Sequence, residues 1–247
     1  MSVVRSASVL VTALAFTVLT GCDSTQQQAA RARLKAERFI ASAAPTVVRR
    51  RNPEIRVVAV KLVRGSAGSA ITVRLRNAAD RPWHDLPVSV GTLGSLGHRS
   101  YLNASANTFY FETHLASIAA RGSVTWVFTT HQDLPVAAQP FALVGARSSV
   151  PATLMHALPQ IDVATASSLT GAKGARRLLV KVTNASEVPQ YQLQIYALGL
   201  DRGRYVAAGG ATLAHLGTET SETVTVSLIG AQRPASIELE ALPTMFQ

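Results

Sequence analysis

Two stretches of this chain, Val73-Arg-Leu-Arg-Asn77-Ala-Ala-Asp-Arg-Pro82 and Val180-Lys-Val-Thr-Asn184-Ala-Ser-Glu-Val-Pro189, carry one pattern 107 residues apart. Each begins with apolar and polar residues in alternation, which is the period of a half-buried strand. Each then breaks at an asparagine followed by small and acidic residues and a proline, the chemistry of a turn. The register continues beyond the turn, where Leu86 and Val88 fall on Leu193 and Ile195. A unit recurring in a fixed register restricts the fold to two copies of one arrangement. Two further matches extend the repeat. Ile55 to Gly65 answers Ile161 to Gly171 at a step of 106, and Leu115-Ala-Ser-Ile118 answers Leu213-Ala-His-Leu216 at 98. The first copy therefore holds about nine extra residues, and they fall between Gly91 and Phe111.

The remaining strand signals are short and closely spaced. Ile55 to Leu62, Ile71 to Arg76, the alternating Leu86, Val88 and Val90, aromatic Thr108 to Phe111, Val124 to Phe128 and Phe141 to Val144 make up the first copy. Turn residues such as Arg64-Gly65-Ser66-Ala67-Gly68 separate them. Short strands at such intervals predict an all-β fold of two tandem β-sandwiches, at residues 53–150 and 158–247. A hydrophobic content of 47% is enough to fill two such cores.

The N-terminus reads differently. Arg5 lies in a short leading segment, Val9 to Val18 is apolar, and Leu19-Thr20-Gly21 precedes Cys22, the only cysteine. The apolar run is too short to span a bilayer, which takes about 20 residues, and it has the layout of a secretory signal. Leu-Thr-Gly-Cys resembles the lipobox of bacterial lipoproteins. That resemblance implies a signal peptide at 1–21, cleavage before Cys22 and a diacylated thiol. It places the chain at the cell membrane, lipid-anchored on the extracytoplasmic face.

Residues 22–52 are expected to be a tether. Asp23 to Gln28 is polar, and Ala29 to Ala44 is built of good helix formers ended by Pro45. This short basic helix carries Arg31, Arg33, Lys35 and Arg38 against Glu37. Beside a membrane those cations fit anionic headgroups, at about 1 kcal/mol each; a plain helical spacer would have the same composition. The chain holds 24 Lys plus Arg against 14 Asp plus Glu, and only Arg5 of these lies in 1–21, so +9 of the formal +10 belongs to the remainder. Anionic lipid or a wall polymer is the partner such charge suggests in this compartment, and nucleic acid is not expected there. An arginine-rich coding bias accounts equally for the excess.

In the second copy, Val180-Lys-Val-Thr-Asn184-Ala-Ser leads into Leu193-Gln-Ile195-Tyr196, then Gly203 to Gly210, Leu213-Ala-His-Leu216 and a final alternating pair. This order resembles the small Ig-like sandwich domains of the FxLYD type found in bacterial envelope lipoproteins, over residues 160–242 and, less closely, 53–146. The resemblance implies a fold and a location, and no activity.

Reactive chemistry is sparse. No His-x-x-x-His or His-Glu-x-x-His pair occurs among His84, His98, His114, His131, His156 and His215, whereas zinc needs three or four converging ligands. No Gly-x-Ser-x-Gly elbow occurs, and Gly91-Thr-Leu-Gly94-Ser-Leu-Gly97 has no helix after it to cradle a phosphate. Asn103-Ala-Ser105 and Asn184-Ala-Ser186 match glycosylation sequons, which carry no weight in a bacterial chain. No catalytic residue, metal ligand or cofactor is expected. Aromatic residues on loops mark binding surfaces, so Trp83, Tyr101, Phe109 and Tyr110 are the candidate partner surface, with core packing as the competing explanation. The expected function is a non-enzymatic binding, scaffold or assembly protein acting on an unidentified envelope protein. A ligand-binding lipoprotein for transport or metal delivery is the alternative, and an envelope hydrolase a more remote one.

Overall fold

The computed structural model describes residues 30, 31, 33, 34, 36–38, 47–94, 97–105, 108–146, 158–170, 176–230 and 232–245. Residues 1–21, Cys22 and Lys35 lie outside them. The fold is all-β, with antiparallel sheets throughout. In the first half, β1 (Ile55–Gly65), β2 (Gly68–Asn77) and β6 (Ser123–Thr130) form one sheet in the order β1-β2-β6. The second sheet is centred on β3 (Trp83–Leu93), which pairs with β4 (Arg99–Tyr101), β5 (His114–Ile118) and β7 (Gln139–Val144). In the second half, β8 (Ile161–Thr170), β9 (Arg176–Asn184) and β12 (Ser221–Leu228) run in the order β12-β9-β8. Opposite them β10 (Gln190–Asp201), β11 (Arg204–Leu216) and β13 (Ser236–Leu242) run β11-β10-β13. Among the described residues, no strand of one half pairs with a strand of the other.

The sequence match between the halves reappears as matching bonds. Asn77 donates from Nδ2 to the carbonyls of Arg81 and Ala119, at 2.7 and 2.9 Å, and its Oδ1 accepts from the Ala79 N–H. Asn184 donates to Val188 and Gly217, both at 3.0 Å, and accepts from Ser186. Backbone conformation matches as well. Asp85 and Gln192 both have φ 55°, while Arg121 and Glu219 have 55° and 53°. Left-handed backbone is uncommon outside glycine, so its recurrence at equivalent positions reflects the same strand irregularity and the same turn.

The register of β2 with β6 sets Ile71, Val73 and Leu75 beside Phe128, Trp126 and Val124. These pack with Leu86, Val88 and Val90 of β3 inside the first sandwich. The opposite face, with Ala70, Thr72 and Val127, is buried too. Its cover comes from the second half: Tyr196, Leu198, Ala208, Ile229 and Leu242 belong to this same core. In β10, Leu193, Ile195 and Ala197 point instead into the second half's own core, with Leu178, Val180 and Val182. The four sheets therefore stack, with β1-β2-β6 and β11-β10-β13 face to face at the centre.

Residues 30, 31, 33, 34 and 36–38 are helical. Ala36 is buried, and a cavity of about 480 Å³ beneath this helix is shared with Tyr191, Gln192, Ala214 and His215. Among the described residues, no helix is long and apolar enough to cross a membrane.

Candidate functional site

The insertion in the first copy takes a form the alternation did not predict. In the second half, β11 runs unbroken along β10. In the first half the corresponding edge of β3 meets β5 near its start and β4 near its end, and the described residues between them, 102–105 and 108–113, form no strand. The expected strand at Thr108 to Phe111 is absent, and Tyr110–Thr113 forms one helical turn, α1. The cause is that the edge of β3 is already occupied. Asn103, 2% exposed, donates to the carbonyls of Val88 and Glu112, both at 2.8 Å, and accepts from the Val90 N–H at 3.0 Å. One side-chain amide thus replaces a rung of the ladder, and the chain is free to coil. Glu112 closes the turn by accepting the Phe109 N–H at 2.9 Å. The Tyr110 hydroxyl donates to Asp85, whose backbone is left-handed at φ 55°. The Trp126 indole N–H reaches the Phe111 carbonyl at 3.3 Å.

Held this way, the insertion meets the second half and encloses a cleft of about 380 Å³. Its floor is the outward face of β10 and β11, with Gln194, Tyr196, Gly210 and Thr212. Val127 and Thr129 of β6 form one wall, and Phe109, Tyr110, Phe111 and Glu112 form the rim. Gly210 pairs with Tyr196 across the sheet, and a Cβ there would stand 3.0 Å from the Tyr196 ring. The missing side chain is what lets the ring lie over the strand and keeps the floor open. Gln194 is fixed through its own amide, donating to Gln192 O at 2.8 Å and accepting from the Thr212 hydroxyl at 3.2 Å. Burial pushes the Tyr196 phenol well above its ordinary range, and the charges of Glu112 and Glu240 add to the effect.

The four aromatic candidates do not form one surface. Phe109 and Tyr110 border the cleft, Phe109 being 78% exposed and Tyr110 8%. Trp83 lies at the start of β3, bonded to Glu54 at 3.0 Å and covered by the Arg81 guanidinium at 4.6 Å. Tyr101 pairs with Gly91 near the far end of the same strand and packs edge-on against Phe141. Of the basic helix residues, Arg31, Arg33 and Arg38 are exposed, and Arg33 binds Glu37 at 2.8 Å.

Glu240, which with Glu238 reads in the sequence as a strand-edge carboxylate pair facing no cleft, is drawn inward by the fold. Paired with Tyr196 across β10 and β13, it faces the first half and accepts the Thr125 N–H on the free edge of β6 at 2.6 Å. Burial raises its pKa to about 7 against the Thr125 hydrogen bond, with Glu238 raising it further and Arg74 opposing. His114, stacked on Tyr110 at 4.1 Å, is shifted the other way, to about 4, by burial. The two groups act on stability with opposite sign. Between about 4.5 and 7 the folded chain keeps a proton on Glu240 that the unfolded chain has released, so stability falls as pH rises. Between about 4 and 6.5 the unfolded chain protonates His114 while the folded chain does not, so stability falls as pH drops. Glu240→Gln keeps an acceptor for Thr125 and removes the first slope. The variant's urea midpoint is expected to gain on wild type steadily from pH 4.5 to 7. Parallel midpoint curves would remove Glu240 from this role.

Among the described residues, no group of three or more His, Cys, Asp or Glu side chains is placed to hold a metal ion. Neither the models of known protein families nor the curated proteins compared with this chain give a match.

Proposed function

We propose that this chain is a membrane-anchored, extracytoplasmic lipoprotein of two Ig-like sandwiches that acts as a non-enzymatic binding or scaffold protein. Its partner docks where the first-copy insertion meets the second half. The observation that carries the reading is Phe109, a large aromatic 78% exposed on the rim of a cleft. Aromatic anchors beside a desolvated pocket dominate the energetics of protein interfaces. The anchor is argued from Leu19-Thr-Gly-Cys22 and its apolar leader, the location from the anchor, and the Ig-like assignment from the resemblance to FxLYD-type domains. Anionic lipid or wall polymer remains a secondary partner for Arg31, Arg38 and their neighbours.

Affinity capture from detergent-solubilised membranes tests the reading. A specific envelope protein is expected with wild type, reduced at least tenfold with Phe109→Ala, since a hot-spot truncation costs about 2 kcal/mol or more. Recovery unchanged by Phe109→Ala counts against the site. Mass spectrometry of the N-terminal peptide is expected to begin at an acylated Cys22, and an unmodified peptide starting elsewhere removes the anchor.

The cleft also favours a second reading, a ligand-binding lipoprotein serving transport, because 380 Å³ falls within the range of small-molecule sites. A small molecule retained by the purified protein would support it.

A further inference from the structure

The described lining of the cleft has one charged group, and no described residue pairs with it. Glu112 is the only ionisable acid or base there apart from the two tyrosines, Tyr110 and Tyr196. One of its oxygens accepts the Phe109 N–H, and among the described residues the other takes no hydrogen bond and no ion pair. This occurs in a chain of formal charge +10, so cations are plentiful on the molecule, and none is among the described residues lining the cleft. The same lining holds four aromatic residues, Phe109, Tyr110, Phe111 and Tyr196, of which Tyr110 is stacked on His114. Aromatic faces carry negative potential and attract a cation placed over them.

We propose that the cleft receives a cationic side chain, an arginine guanidinium or a lysine ammonium, carried by the protein partner. The inference rests on the reading of the cleft as the docking site and names what enters it. A neutral apolar group would take the carboxylate out of water with no partner, which is costly, and an anion would be repelled by it. A cation meets both features at once: the carboxylate supplies the charge and the rings supply the walls. The source is a protein side chain because Phe109 projects from the rim into solvent, where only the residues flanking the cation could cover it.

The test uses the detergent-solubilised full chain and three probes: a capped pentapeptide with arginine between alanines, the same peptide with citrulline, and N-acetylarginine amide. Citrulline keeps the shape of arginine and lacks its charge. The arginine peptide is expected to bind about tenfold or more tightly than the citrulline peptide, as a desolvated cation–aromatic and carboxylate contact implies. The single capped residue is expected to bind more weakly than the peptide. Glu112→Gln retains the acceptor that closes the helical turn and should keep the wild-type melting temperature while abolishing the arginine preference. Phe109→Ala should weaken both peptides together. Equal binding of arginine and citrulline by wild type, or a preference that survives Glu112→Gln, overturns the proposal. The capped residue binding as tightly as the peptide overturns the assignment to a protein side chain. These outcomes separate from those of membrane capture: loss of arginine selectivity with capture still dependent on Phe109 removes this inference alone, and capture independent of Phe109 removes the docking site itself.

Discussion

Trp126→Ala is expected to lower the stability of the chain by about 3–5 kcal/mol, the cost of truncating a fully buried large aromatic. Trp126 has no exposed surface, lies beside Val73 across β2 and stacks with Phe128. It also supports the insertion through its indole N–H. For a chain of this size the loss corresponds to a fall of about 6–20 °C in melting temperature. The shape of the transition carries more information than its position. Tyr196, Leu198 and Leu242 of the second half belong to the core that contains Trp126, so the two halves are expected to unfold as one unit. Scanning calorimetry should show one endotherm in wild type and one, shifted whole, in the variant. Two endotherms with only one of them moved would show that the shared core does not couple the halves.

The strands were legible because alternation is enforced wherever one face is buried and the other wet. In β2 this holds for Val73-Arg-Leu-Arg, where Arg74 and Arg76 are exposed, while Thr72 ahead of them is covered by the second half and the strand begins three residues before Ile71. In β10 the pattern fails. Leu193 to Leu200 is nearly continuous in apolar residues, and all but Leu200 of this stretch are buried. Such a run marks a strand covered on both sides, and here the second cover is the other half of the chain. Treating the copies as separate modules concealed that meaning. The same contact hid Glu240. Ile237-Glu-Leu-Glu-Ala reads as a strand with a wetted acidic face, and it is only the approach of β6 that buries one of the two acids.

The place of the insertion is legible in the spacing of the repeat, and its form is not. Its length followed from the change of step between 107 and 98, which needs no knowledge of structure. Its conformation depended on Asn103, a residue whose local pattern resembles a sequon and whose work is done against β3, Val88 and Val90. Long-range capture of a backbone edge by a side chain leaves no periodic trace. Of the aromatics, Phe109 and Tyr110 border the cleft because they lie on the part of the insertion that leaves β3, while Tyr101, in the same insertion, pairs with β3 and packs on Phe141, and Trp83 is bonded to Glu54. The floor of the cleft, Gln194, Tyr196 and Gly210, could not be read at all, since no sequence rule brings β10 and β11 to the rim of another sandwich.

Asn184→Ala is expected to cost about 3 kcal/mol, because it leaves two carbonyls and one N–H in the turn without their side-chain partner. Asn184 is fully buried, as is Asn77. Asn77→Ala should cost the same to within about 1 kcal/mol, since the lost partners are equivalent. Lost packing and lost hydrogen bonds can be told apart with Asn184→Asp. Aspartate fills nearly the same volume and keeps the acceptor for Ser186, yet it sets a carboxylate oxygen against the carbonyls of Val188 and Gly217, which have only lone pairs to offer. If the donors of Asn184 are what hold β9 to the turn after β11, the aspartate variant will be at least as unstable as the alanine one in urea titration at neutral pH. A mild aspartate variant beside a damaging alanine would assign the effect to volume instead. It would then remove the hydrogen-bond account of why both copies of the repeat place asparagine at the end of their second strand.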